Sequence, residues 1–197
     1  MGMEAIRAIT RSLDPDPAHA FQVSRLALGL FDQLSLLHGL SPPAKRLLEA
    51  GALLHDVGLS VDGSRHHKHA LEIIRTTELP GFSALERDMV ACIARYHRKA
   101  DPAPSHPVFR KLDADAQVMV TRLAALLRVA DGLDRAHRAS VIRLDVDCTS
   151  ECLEITVHQD HPSPTDLLGA ARKQALFESV FQTKVKFVAL IENGVKV

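Results

Sequence analysis

The sequence predicts a mostly α-helical bundle over residues 1–139, followed by a small α+β appendage of ββαβ order over residues 140–197. Two patterns predict it. Apolar residues recur at helical spacing, punctuated by helix-start and helix-stop residues, through the first two thirds of the chain. Near residue 140 the period switches to two. A third observation, eleven histidines, directs attention to where the chemistry lies.

Asp16-Pro17 reads as an N-cap followed by a proline at the first helical position, where no N–H is needed. Val23, Leu26, Ala27, Leu30, Phe31, Leu34 and Leu37 then line one face, and Gly39 stops the helix. Ser41-Pro42 opens the next helix in the same manner, with Leu47, Leu48, Gly51, Ala52 and Leu54 on its apolar side up to Gly58. A polar loop over 61–65 precedes a short helix with Leu71, Ile73 and Ile74, which Leu79-Pro80-Gly81 breaks. Ser83 with Glu86 three residues on is a capping-box signature. The helix it opens carries Met89, Val90, Ile93 and His97 on one stripe. Residues 100–108 form a proline-rich loop, and Val118 to Asp131 is apolar at helical period. Val141–Val146 and Leu153–Val157 alternate as a β-hairpin with its turn at Asp147–Glu151. A helix from Ser163-Pro164 to about Phe181 and a strand over Val185–Ile191 complete the tail.

With 197 residues the chain has the length of one domain, or one with a small appendage. Lys+Arg and Asp+Glu are both 24. This balance, with 46% hydrophobic residues, excludes a disordered chain and one that holds nucleic acid or membrane through overall charge. The first residues do not read as a secretory signal, and no run of apolar residues is long enough to span a bilayer. Three cysteines without a paired framework read as reduced thiols, so the expected location is cytoplasmic.

The sharpest local feature is His55-Asp56 in A-L-L-H-D-V-G, at the end of an apolar helix. A buried carboxylate must be paired or bound to metal. Alone, the pair could equally be a helix-end cap. Three further residues share the inward faces of their helices: His19 with Val23 and Leu26, His97 with Ile93 and Met89, and Asp131 with Leu127 and Ala124. Each has an ordinary explanation, such as a hydrogen-bonded core histidine or an Asp131–Arg135 pair one turn apart. Burying four such groups independently costs several kcal/mol, which one shared cation largely removes. In R-H-H-K-H (65–69) the apolar residues at 70, 73 and 74 favour His66 as the inward member, with His67 competing for the role. His106, His137, His158 and His161 read as solvent-facing, and His38 as a helix-end residue. Arg128 reads as a structural ion-pair partner and Tyr96 as lining the pocket or packing. No phosphate-cradling glycine motif and no metal-type cysteine spacing is present.

The order H…HD…D, as His19, His55, Asp56 and Asp131, resembles the HD superfamily of metal-dependent phosphohydrolases. L-L-H-D-V-G-L-S, H-H-K-H-A-L-E-I-I, E-L-P-G-F-S-A-L-E, I-A-R-Y-H-R-K and L-L-R-V-A-D-G-L-D-R-A-H look like the HD-type domain in the C-terminal half of the Ppx/GppA family. The likeness runs from about residue 16 to 138 and more loosely through the tail. The family's N-terminal actin-like domains, to which polyphosphate hydrolysis is attributed, have no counterpart in the sequence read here, so what transfers is the HD module.

The resemblance implies a divalent ion (Mn, Fe, Zn or Mg) held by His19, His55, Asp56 and Asp131, able to activate water at neutral pH. It also implies a possible second ion at His66 and His97 with Asp56 bridging. Asp56 and His97 are then the catalytic candidates, and Lys68, Arg98, Lys99 and Arg135 the candidates for binding phosphate oxygens, unless they form an ordinary solvated basic face. The expected function is hydrolysis of a phosphate ester or anhydride in a nucleotide or polyphosphate-like substrate. The alternative is a non-catalytic module for dimerisation or for binding polyphosphate or guanosine polyphosphates. The expected partner is a phosphate-containing small molecule, with no membrane or specific nucleic acid, and the tail's exposed edge suggests a homodimer.

Overall fold

A computed structural model describes residues 2–148 and 152–192. Helices α1 (Gly2–Leu13), α2 (Pro17–Gln33), α3 (Ser35–His38), α4 (Pro43–Leu53), α5 (His66–Thr76), α6 (Ala84–Arg95), α7 (Pro107–Arg110) and α8 (Ala114–Gly132) precede strands β1 (Val141–Cys148) and β2 (Leu153–Gln159), helices α9 (Pro164–Lys173) and α10 (Ala175–Phe181), and strand β3 (Val185–Ile191). The mostly helical bundle with a small C-terminal α+β appendage is therefore the observed fold. No helix among the described residues is long and apolar enough to cross a membrane.

Local chemistry sets most boundaries. Asp16 accepts from the His19 N–H at the start of α2, and Ser83 and Glu86 form the reciprocal capping box of α6. Gly39 takes a left-handed conformation, φ 59°, after α3. The helix expected at Ser41-Pro42 begins instead at Pro43 with no side-chain cap. Two successive prolines have no N–H to be capped, and the first donors, Ala44 and Lys45, bond to the carbonyls of Ser41 and Pro42.

Three elements depart from the sequence reading. Helix α1 was not singled out; it buries Ile6 and Thr10, and the Thr10 hydroxyl donates to the Leu53 carbonyl at 3.0 Å, satisfying an acceptor at the free end of α4. Part of the expected 100–108 loop passes into the short helix α7. The tail helix is two segments, α9 and α10, divided at Gln174. The hairpin turn lies partly outside the described residues, but its strands pair antiparallel as expected, from Val141 opposite Gln159 to Cys148 opposite Leu153. Strand β3 adds parallel to β2, giving the order β1-β2-β3.

One apolar cluster runs through the helices and continues into Val141, Leu144, Ile155, Val157 and Phe177 of the tail. Helix α2 covers the open side of β1. Gln33 donates to the Leu144 carbonyl and accepts from the Val146 N–H, while Arg25 reaches the Val141 and Ile142 carbonyls. Cys92 is buried in this core, which pushes its thiol up to about 12.

Two close approaches set how the helix ends meet. A Cβ on Gly58 would lie 2.1 Å from the His66 carbonyl oxygen and 2.6 Å from the Ala70 nitrogen. A Cβ on Gly132 would lie 2.6 Å from the Ala170 Cα, so α8 and α9 touch backbone to backbone. Gly58→Ala should therefore push α5 away from the His55-Asp56 turn. The expected loss is about 1–3 kcal/mol of stability, read from urea unfolding midpoints.

Candidate metal centre

Each sequence-predicted His or Asp sits at a helix end. His19 is in the first turn of α2 and His66 opens α5. His55-Asp56 follows α4, His97 follows α6, and Asp131 is the penultimate residue of α8. All six are buried.

The imidazoles are oriented by their own backbone. His55 Nδ1–H donates to the Ala52 carbonyl (2.7 Å), His97 Nδ1–H to the Ala94 carbonyl (2.6 Å) and His66 Nδ1–H to the Gly63 carbonyl (2.8 Å). In every case the acceptor is three residues earlier. For α4 and α6 it is a carbonyl of the last turn; that of Ala52 has no backbone donor, and that of Ala94 also accepts from the His97 N–H. His19 Nδ1–H donates instead to Asp134 Oδ2 at 2.8 Å. With Nδ1 committed, all four Nε2 atoms face inward, and each neutral ring presents a lone pair there, the arrangement found around metal-ligating histidines.

Those lone pairs meet two carboxylates. Asp56 Oδ2 lies 3.5 Å from His55 Nε2 and 4.0 Å from His19 Nε2; its Oδ1 lies 3.1 Å from His66 Nε2 and 3.6 Å from His97 Nε2. Asp131 Oδ1 is 3.5 Å from His19 Nε2. The groups form two clusters, His19–His55–Asp56 and Asp56–His66–His97, sharing Asp56. His19 Nε2, His55 Nε2 and Asp56 Oδ1 are buried without a hydrogen-bond partner. His66 and His97 bring Nε2 atoms within 3.1 Å, where two lone pairs repel unless a cation or proton lies between them. A convergent donor set of imidazole nitrogens and carboxylate oxygens, three of its atoms without a hydrogen-bond partner, fits a divalent transition metal.

The electrostatics agree with the geometry. Burial alone would raise Asp56, yet His55, His66 and His97 hold it well below the usual carboxylate range. Burial is likewise overcome at Asp131, which Lys173 and His19 hold well below that range. Burial and the neighbouring His55 keep His97 well below the ordinary imidazole value. Burial opposes charge on His19, but Asp131 and Asp134 raise it to about 10.

The cluster opens into a cavity of about 600 Å³ whose rim includes Arg98, Lys99, Arg135, Arg172 and Lys173. Three of the four expected phosphate-binding cations are therefore here. Lys68 is not: it projects from the other side of α5 and lines neighbouring cavities. Of His66 and His67, the structure brings His66 to the cluster. The His67 ring stands nearly perpendicular to that of His66, with centroids 6.1 Å apart, and lines a separate cavity. Burial with Arg98 and Arg95 lowers His67 to about 4.

Sequence reasoning missed several participants. Asp131 pairs with Lys173 rather than Arg135, because the Gly132–Ala170 contact lays α9 against the end of α8. Asp134, which orients His19, lies in the turn after α8, three residues beyond Asp131, a spacing that could have flagged it. His137 is exposed, as expected, and its ring also stacks on His19 at 3.8 Å and bonds to Asp16. His158, also expected in solvent, is instead buried between Asp145 and Glu192. His106 is half-buried and bonds to the Tyr96 hydroxyl. His38 is a buried helix-end residue whose Nδ1 accepts from Leu40 N–H while Nε2–H donates to the Phe31 carbonyl. Arg128 is a structural ion-pair partner, as expected; its carboxylate is that of Asp101, and it also donates to the carbonyls of Tyr96, Lys99 and Ala100, fixing the segment that carries His97 to Lys99.

Fold and site together define a helical domain built around a buried histidine–aspartate cluster, closed by an α+β tail. A family model described as "Ppx/GppA phosphatase, domain III" matches residues 3–170. The chain belongs to the Ppx/GppA phosphatase family, through its domain III. Similar curated proteins are three guanosine-5'-triphosphate,3'-diphosphate pyrophosphatases. That of Pseudoalteromonas translucida is 33% identical over 121 residues, covering 58% of this chain and 22% of the relative. That of Pseudoalteromonas atlantica is 30% identical over 156 residues, covering 78% and 29%. That of Aliivibrio fischeri is 24% identical over 151 residues, covering 73% and 30%. The chain thus spans less than a third of the length of these relatives.

The raised His19 predicts a pH dependence of the metal-free protein. Its folded-state value lies above the ordinary 6.5, so its contribution to stability is complete below pH 6.5 and is lost as pH rises towards 10. Urea midpoints of chelator-treated protein across this range should fall more steeply for wild type than for His19→Gln. Saturating divalent metal should remove the difference, because Nε2 is then no longer free to hold a proton.

Proposed function

We propose that this chain is a metal-dependent phosphohydrolase acting on a phosphoanhydride or phosphate ester. The observation that carries the proposal is the convergence of four imidazole Nε2 atoms on the two oxygens of one buried carboxylate, Asp56, beneath a cationic rim. In this reading His19, His55, Asp56 and Asp131 hold one divalent ion, and His66 and His97, with Asp56 shared, hold a second. Bound ions would supply Lewis-acid polarisation of the phosphoryl group and a nucleophile available at neutral pH.

The chain's own residues have separate tasks. Asp56 stays anionic in a buried setting because three histidines surround it, so it can bridge two cations without first losing a proton. His97 stays unprotonated and keeps its Nε2 lone pair available. Asp134 fixes the His19 tautomer, and Lys173 holds the outer oxygen of Asp131 so that Oδ1 faces inward. Arg98, Lys99, Arg135 and Arg172 meet the substrate's phosphate oxygens at the cavity mouth. Lys99 reaches the mouth from a left-handed backbone position, φ 61°, held by Arg128. The relatives' names, pyrophosphatases of a guanosine polyphosphate, favour a phosphoanhydride as the bond cleaved. We also infer self-association through β3, the open edge of the sheet among the described residues, where Leu190 and Ile191 are exposed. Sedimentation equilibrium giving twice the chain mass supports this, and a monomer refutes it.

Purified protein should carry transition metal by elemental analysis and hydrolyse a member of a panel of nucleotides, guanosine polyphosphates, polyphosphate and an aryl phosphate. Asp56→Asn should lose both metal and turnover while remaining folded. A metal-free wild type that stays inactive when metal is supplied would overturn the reading; metal-independent polyphosphate binding that survives Asp56→Asn would make the chain a binding module instead. Asp134→Asn should weaken metal affinity by about 10–100-fold with every ligand retained.

A further inference from the structure

A second cleft lies on the opposite side of α5 from the cluster. It consists of two adjoining cavities of about 410 and 360 Å³ that share Arg65, Lys68, Arg95, Tyr96 and His106. Its two ends differ in chemistry. The larger cavity ends among Leu71, Cys92, Val108 and Phe109, all buried. The smaller ends at Ser64, His67, Lys99 and Ala100.

Charge in the cleft is unbalanced. Arg65 is met by Asp62 at 3.1 Å, and at the apolar end Arg75 is met by Asp88 and Glu72. Lys68, Arg95 and Lys99 have no carboxylate within ion-pair distance among the described residues. The polar end also holds a buried group without a partner: His67 is 7% exposed, and its Nδ1 makes no hydrogen bond. An unsatisfied buried imidazole nitrogen beside three cations without carboxylate partners, one of them (Arg95) over the Tyr96 ring at 5.7 Å, is costly in isolation and is relieved by a ligand bearing anionic and hydroxyl groups.

We propose that this cleft is a binding site for a nucleoside phosphate. Its ring lies in the apolar end against Leu71, Tyr96 and Phe109, and its phosphate lies among Lys68, Arg95 and Lys99. A ligand of phosphates alone would leave the apolar half wet, and a purely aromatic ligand would leave the cations unmet. Only a molecule carrying both parts in sequence matches the order along the cleft. Glu72 at the apolar end supplies an acceptor suited to a ring amino group. Lys99 also lines the cavity over the histidine–aspartate cluster, so the two sites adjoin. The proposal does not depend on that cluster being catalytic.

The test is calorimetric titration of chelator-treated protein with AMP and with GMP, compared with ribose 5-phosphate and inorganic tripolyphosphate. At least one mononucleotide should bind about 10-fold or more tightly than ribose 5-phosphate, the difference that one buried base contributes. Lys68→Ala, at an exposed position, and the double variant Lys68→Ala/Arg95→Ala should each weaken that binding, the double variant by about 10-fold or more. Asp56→Asn should leave it unchanged. Ribose 5-phosphate binding as tightly as the nucleotide would overturn the proposal, and so would complete displacement of the nucleotide by tripolyphosphate at equal concentration. So would absence of binding by both nucleotides, insensitivity to the double variant, or loss of binding in Asp56→Asn.

Discussion

The site depends on one short hydrogen bond, repeated three times: an imidazole Nδ1–H donating to the backbone carbonyl three residues earlier. It does two jobs at once. At the end of α4 it satisfies a carbonyl that the helix leaves unpaired. It also settles which ring nitrogen carries the proton, so that Nε2 faces the cavity as a lone pair. The pre-organisation is local: it is set within four residues of sequence before any helix meets another. His19, near the start of its helix, has no earlier carbonyl in the same position and takes its orienting acceptor from Asp134, 115 residues away.

What remains for tertiary structure is to bring five helix ends to one place. Two glycines permit the closest approaches, Gly58 beneath α5 and Gly132 beneath α9. The second explains why the tail belongs to the site. With α8 and α9 in backbone contact, Asp166 accepts from the Ala136 N–H and the Ser140 hydroxyl, tying down the 133–140 loop, while Lys173 reaches Asp131. The chain's neutrality conceals this arrangement. Anionic side chains at the centre of the site are buried and its cations stand at the rim, so a formal charge of zero coexists with a cavity mouth that is positive. Helix polarity works in the same sense: the C-terminal ends of α4, α6 and α8 favour a cation, while the N-terminal ends of α2 and α5 favour an anion.

Much of the site was legible because it obeys helical periodicity. His19, His97 and Asp131 each fall on an apolar stripe, and His66 is separated from His67 by the phase of Ala70, Ile73 and Ile74. Capping chemistry at Asp16 and Ser83 located two helices to the residue. The failures share a cause. Lys173 and Asp134 act through contacts between elements, and composition or period carries no information about which element lies beside which. Arg135 sits four residues from Asp131 and was the natural local partner, but the close packing of α9 supplied a cation from 42 residues away. Helix α1 went unmarked because it contributes few fully buried side chains, although its Thr10 closes the free end of α4. Lys68 was misplaced by adjacency. It follows two histidines that face different cavities, and neighbours on a helix diverge by about 100°.

That divergence is itself a structural argument. A single turn at the start of α5 sends His66 to the metal-type cluster, and His67 and Lys68 to the far cleft. The loop after α6 repeats the division: His97 and Arg98 face the cluster, while Lys99 stands between the two cavities. Arg128 fixes this loop through three backbone carbonyls and one carboxylate. A displacement of that segment would therefore move a candidate ligand and the cation shared by both cavities together. The coupling is mechanical and needs no conformational change elsewhere, because one guanidinium holds the position of both.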